Sequence, residues 1–194
     1  MQSSLATVGE QTLTIPKGAT KHSQRLEYSE ASSSLTLILE DGAKAHISQI
    51  LTGSHSHFTH ATEVILGKDA TLTLLTLQNV QAEHVSIAQR STIGDGATLH
   101  WQNVTLGGQE VTHELLSSIE GVHATSSLDW VFYAKDREKQ KLSARNVFSA
   151  QNGSGEIMMK GIAEHEASVK FDGEIKIGRG GAGTNTYLTE QALM

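Results

Sequence analysis

The sequence predicts an all-β chain folded as one parallel β-solenoid, and three observations carry the prediction. Three segments, starting at Ile38, Ile65 and Thr92, repeat without gaps at one fixed interval. Within each, apolar and polar residues alternate with the period of two expected of a strand with one dry and one wet face. Glycine, present 18 times and scattered between apolar runs, marks turns rather than linkers, since the single proline is Pro16.

The repeats read ILEDGAKAHI (residues 38–47), ILGKDATLTL (65–74) and TIGDGATLHW (92–101). A looser fourth copy is SIEGVHATSSL (118–128), and PKGATKH (16–22) reads as a weak first one. In each clear copy an apolar residue, Leu39, Leu66 or Ile93, closes one strand. A turn of Gly and Asp follows, suited to positive φ and to local side-chain hydrogen bonds. Then comes an alternating strand. Its inward set is Ala43, Ala45 and Ile47, then Ala70, Leu72 and Leu74, then Ala97, Leu99 and Trp101. The opposite set includes Thr71, Thr73, Thr98 and His100. Stacked at ~4.8 Å, equivalent residues form interior ladders. One rung cannot bury its own face, so its neighbours must cover it. Connections within a repeat are too long for simple hairpins, which favours parallel stacking. An antiparallel sandwich, with turn signals every ~8–12 residues, is the rival and leaves the equal spacing unexplained.

The second half continues in the same style. Leu128, Trp130 and Phe132 alternate, and Val169, Phe171, Ile175 and Ile177 share parity around Gly173. Lys170, Asp172, Glu174 and Lys176 take the other face. The best helix candidate is DREKQKLS (136–143), whose charges fit a solvated turn as well. No domain boundary is visible, so residues 1–194 read as a single domain.

The net charge is −6, and Lys and Arg form no block or stripe. A phosphate backbone therefore has no docking footprint, and an anionic membrane surface none either. There is no cysteine, so the chain offers no disulfide and no thiolate to a metal or cluster. Residues 1–7 show no basic flank and no apolar h-region, and no run approaches the ~20 apolar residues of a membrane helix. Cytoplasm is the expected location.

His55, His57 and His60 in GSHSHFTH are the candidate metal ligands, since three imidazoles can make an open zinc site. On a strand, His55 and His57 share a face and His60 has opposite parity; Glu63 is the nearby carboxylate. The competing reading is a polar strand or turn. Glu164, His165 and Glu166 juxtapose carboxylates with an imidazole, but a wet turn between Ile162 and Val169 explains them better. The glycine-rich stretches LGG (106–108), NGSG (152–155) and GRGGAG (178–183) lack the phosphate-cradling pattern, and neither a G-x-S-x-G elbow nor an H-E-x-x-H helix is present.

From residue 106 to 194 the chain resembles the shared core of the SufB and SufD proteins. The resemblance rests on LGG, LLSSIEGVHATSSL, the aromatic strand WVFYA, and a final series through Ser149, Lys160, Gly161, Ile162, Gly173, Ile175, Ile177, Ala182, Thr184, Asn185 and Leu193. GDGATLHWQNVTLGG (94–108) fits the same style. The first ninety residues match by rung pattern only. The resemblance implies a right-handed parallel β-helix and a role in the SUF pathway of iron–sulfur cluster assembly. There a SufB-like and a SufD-like subunit associate and work with a SufC-type ATPase, which hydrolyses the ATP. Thr189 stands where the SufB branch carries a cysteine, which favours a SufD-like or divergent member. The histidine that many members carry after the aromatic strand is not evident around residues 146–148. The sequence stops at Met194, before the family's further strands and its C-terminal helical segment, which docks the ATPase.

The expectation is therefore a non-enzymatic scaffold. It pairs with a SufB-like subunit or with itself, and it binds no cofactor alone. A transient iron–sulfur cluster forms in the assembled complex, with ligands largely from the partner. The rivals are a self-assembling structural solenoid and a β-helix enzyme acting on acidic polysaccharide. The enzyme is disfavoured by 5% aromatic content and the missing secretion signal.

Overall fold

The structure is a computed structural model describing residues 9–193; the segment read for a leader, residues 1–7, and Met194 lie outside the described residues. The elements are β1 (Glu10–Ile15), β2 (His22–Tyr28), β3 (Ser32–Leu39), β4 (Lys44–Leu66), β5 (Thr71–Ile93), β6 (Thr98–Leu106), β7 (Glu110–Ile119), β8 (Thr125–Ala134), β9 (Lys139–Phe148), β10 (Ser154–Ala163), β11 (Ser168–Ile177) and β12 (Asn185–Leu193). Every pairing is parallel. No helix among the described residues is long and apolar enough to cross a membrane.

The chain winds as a β-solenoid of about 7 turns. Each turn gives one strand to each of two ladders. One runs β2, the first half of β4, the first half of β5, β6, β8, β10, β12. The other runs β1, β3, the second halves of β4 and β5, β7, β9, β11. β4 and β5 round the bend between ladders without interruption, which joins all twelve strands into one sheet. The interval read from the sequence is the rung: Ala45 pairs with Leu72, Leu72 with Leu99, and Leu99 with Ser126. Rungs then lengthen, for Ser126 pairs with Gly155 and Gly155 with Thr186. The corner at 134–138 and the turn at 178–184 absorb the added residues.

The repeated turn explains its own composition. The amides of Ala19, Ala43, Ala70 and Ala97 each donate to the carbonyl three residues earlier at 3.0–3.2 Å. The residue before each Ala is left-handed: Gly18 at φ 72°, Gly42 at 68°, Asp69 at 55° and Gly96 at 63°, with His123 at 60° before Ala124. Gly and Asp tolerate that region and most L-residues do not. PKGATKH builds the same turn, so the weak first copy is a true rung. The side chains of Asp41 and Asp95 accept the amides of Lys68 and Val122 in the next turn, at 3.0 and 2.9 Å.

The predicted inward residues are inward. Ala43, Ala70 and Ala97 are fully buried, as are Leu72, Leu74, Leu99 and Trp101. Large buried side chains of this kind stabilise by about 1.5–3 kcal/mol each. The helix considered at 136–143 is instead a turn followed by β9. Asp136 is left-handed (φ 56°) and breaks the helical path, and Gln140 and Leu142 then point inward between the outward Lys139 and Lys141.

Candidate functional site

The solenoid interior is not dry throughout. Gln49, Thr76, Asn103 and Trp130 are register partners on β4, β5, β6 and β8, and all are buried. Opposite them, Thr62 and Gln89 stack on β4 and β5, with His60, Ile87 and His113 in the neighbouring row. Gln49 Nε2 donates to Thr62 Oγ1 at 3.0 Å and to Thr76 Oγ1 at 2.8 Å. Gln89 Nε2 donates to Thr76 Oγ1 at 2.8 Å, while Gln89 Oε1 accepts from Asn103 Nδ2 at 2.7 Å and from His113 Nε2 at 3.0 Å. A hydrogen-bonded chain thus zigzags between the ladders along the axis. Both tryptophan N–H groups join this polar interior, Trp101 on Ser117 Oγ at 3.1 Å and Trp130 on Thr105 Oγ1 at 2.9 Å.

Two imidazoles are enclosed here. His60 Nδ1 lies 2.7 Å from Ser33 Oγ, and its Nε2 has no partner among the described residues. His113 is capped edge-on by Trp130, with ring centroids 4.4 Å apart, and its Nδ1 is unpartnered among the described residues. Desolvation holds His60 down to about 4 and His113 down to about 3, with a further Coulombic push from His60 on the latter. Both are neutral at neutral pH.

The structure separates the three histidines read together in the sequence. His60 is inside. His55 sits at the bend, its Nε2 2.8 Å from the Ser29 carbonyl oxygen. His57 faces solvent on β4 and stacks at 5.0 Å on His84 of β5. Among the described residues no three His, Asp or Glu converge as metal ligands. Residues 164–167 form a turn stacked on 135–138: Tyr133 OH donates to Glu164 at 2.8 Å, Arg137 pairs with Glu166 at 3.1 Å, and His165 lies 3.7 Å from Asp136.

The buried polar row escaped the alternation read from the sequence, although its signal was there. Thr76 and Asn103 follow Gln49 at the rung spacing and keep the inward parity of Ala45 and Ile47. On the outer face of the second ladder, a groove of about 270 Å³ is lined by Arg90, Glu114, Ser143, Arg145 and Asp172. Its opposite charges partly neutralise one another, Arg145 pairing with Glu174 at 2.5 Å.

Among the described residues β11 pairs with β9 and β12 with β10. Phe148 and Ile157 are fully buried, and their register partners Ile177 and Leu188 are 50% and 41% exposed.

The SUF system FeS cluster assembly, SufBD core domain family matches residues 21–194 of this coil of parallel strands. The chain belongs to the SufBD core family. Iron–sulfur cluster assembly SufBD family proteins are similar to it. That of Mycobacterium leprae is 24% identical over 165 residues, covering 82% of this chain and 19% of the relative. Those of Mycobacterium bovis and Mycobacterium tuberculosis are each 22% identical over 142 residues, covering 73% of this chain and 17% of the relative. The chain therefore spans about a fifth of the curated relatives it matches. The SufBD match covers the first ninety residues beyond position 20 as well as the C-terminal half, so the rung pattern there belongs to the family. Membership supports a role in iron–sulfur cluster assembly.

Proposed function

We propose that this SufBD core domain is a non-enzymatic, cytoplasmic scaffold that pairs with a SufB-like β-solenoid and works with a SufC-type ATPase. The match of the SufBD core family to residues 21–194, on a coil of parallel strands, carries this reading. The cluster is the cargo of assembly. These 194 residues hold no cysteine, so thiolate ligands for it come from outside them.

The test is anaerobic reconstitution with a SufB-like partner and a SufC-type ATPase, followed by size-exclusion chromatography and visible absorption. The expected result is a stable complex that acquires cluster absorption. A chain that stays monomeric and colourless beside a competent partner overturns the reading. Concentration-dependent filaments indifferent to iron would establish the self-assembling alternative instead.

A further inference from the structure

A different histidine pair replaces the trio that the sequence suggested. His57 on β4 and His84 on β5 are register partners on adjacent rungs, both exposed at the bend between the ladders. Their ring centroids are 5.0 Å apart with a 35° interplanar angle. In the next rung, Glu110 is the register partner of His84 and sets its Oε2 3.3 Å from His84 Nδ1. Lys139, one rung further, holds Glu110 Oε1 at 3.2 Å. His57 Nδ1 lies 3.3 Å from Ser56 Oγ.

Each Nδ1 therefore has a local oxygen partner, and no hydrogen bond engages either Nε2 among the described residues. A carboxylate on one imidazole nitrogen fixes the tautomer and aims the lone pair of the other nitrogen outward. That is the arrangement found behind metal-ligating histidines. Parallel register keeps the two backbones ~4.8 Å apart, so rotation of the side chains brings both Nε2 atoms to the ~2.0–2.1 Å reach of one ion. Strands stacked in a solenoid also hold the pair more rigidly than a loop does.

We propose that His57 and His84 form a two-imidazole site on the outside of the solenoid for a divalent first-row transition-metal ion. Glu110 is its positioning residue, and water completes the coordination sphere. Imidazole suits zinc, nickel and copper, whereas magnesium and calcium prefer oxygen. His55 and His60 take no part: the first is engaged by Ser29 and the second is buried. The inference stands on this geometry alone and is independent of the role in cluster assembly.

The experiment is titration of the full chain with nickel alone and zinc alone, by calorimetry and by 15N NMR of the imidazole nitrogens. One ion per chain is expected, with the His57 and His84 Nε2 signals perturbed first. His57→Ala and His84→Ala should each weaken binding by about tenfold or more, and Glu110→Gln by about 10–100-fold. Glu110→Gln should also shift the His84 tautomer balance in the metal-free protein, a change a merely structural residue would not produce. His46→Ala and His100→Ala, two outward histidines elsewhere on the surface, are the controls and should bind as the parent does. Far-UV circular dichroism verifies that each variant is folded. The proposal is overturned by the absence of saturable binding, or by folded His57→Ala and His84→Ala variants that bind as tightly as the parent or no more weakly than the controls.

Discussion

His113 Nε2 and Gln89 Oε1 meet at 3.0 Å inside the solenoid, on neighbouring rungs of one ladder. Gln89 is the hub of the buried chain, since it also engages Thr76 and Asn103. Its side chain links the ladders in a region where water is largely excluded, so removing it strands several partners at once.

Gln89→Ala should therefore lower stability by about 3 kcal/mol or more, the cost of orphaning buried polar groups together with a cavity. Gln24→Ala, at a partly exposed side chain whose hydrogen bond among the described residues is to His22, should stay within about 0.5 kcal/mol. Urea unfolding monitored by circular dichroism checks both.

Acid should destabilise the fold through His60 and His113. Their folded pKa values lie below the ordinary 6.5, at about 4 and about 3. Between those limits the unfolded chain binds more protons, so stability rises with pH and is complete above about 6.5. As pH falls from 6.5 through 4 and 3 it is lost, by about 2 kcal/mol per imidazole at pH 5. Urea midpoints at pH 7 and pH 5 measure the loss, and His113→Leu should flatten the dependence.

Two turn positions should respond in opposite directions. Gly96 is left-handed, and a Cβ there would collide with the Asp69 carboxylate, so Gly96→Ala should cost more than about 1 kcal/mol. His123 occupies the equivalent left-handed position with a full side chain, and His123→Gly should gain up to about 1 kcal/mol. Thermal melts compare the two.

The rung is written in the sequence. An even spacing of repeats, a turn needing positive φ, and strict alternation leave parallel stacking as the arrangement that buries Ala43, Ala70 and Ala97 together. These signals are local and repeat, so they survive without knowledge of the whole. What lies across the core follows only from how the coil closes. Parity says that Gln49 and Gln89 point inward, but their partners Thr62, Asn103 and His113 come from the opposite ladder or the next rung, set by the path of the bends. The same holds for the histidines. His55, His57 and His60 are neighbours in the chain, yet strand parity and the bend send them in three directions, and stacking gives His57 its partner on the following rung, His84. In a solenoid, proximity in space follows the rung rather than the chain, because each side chain's nearest outside neighbours are one coil apart.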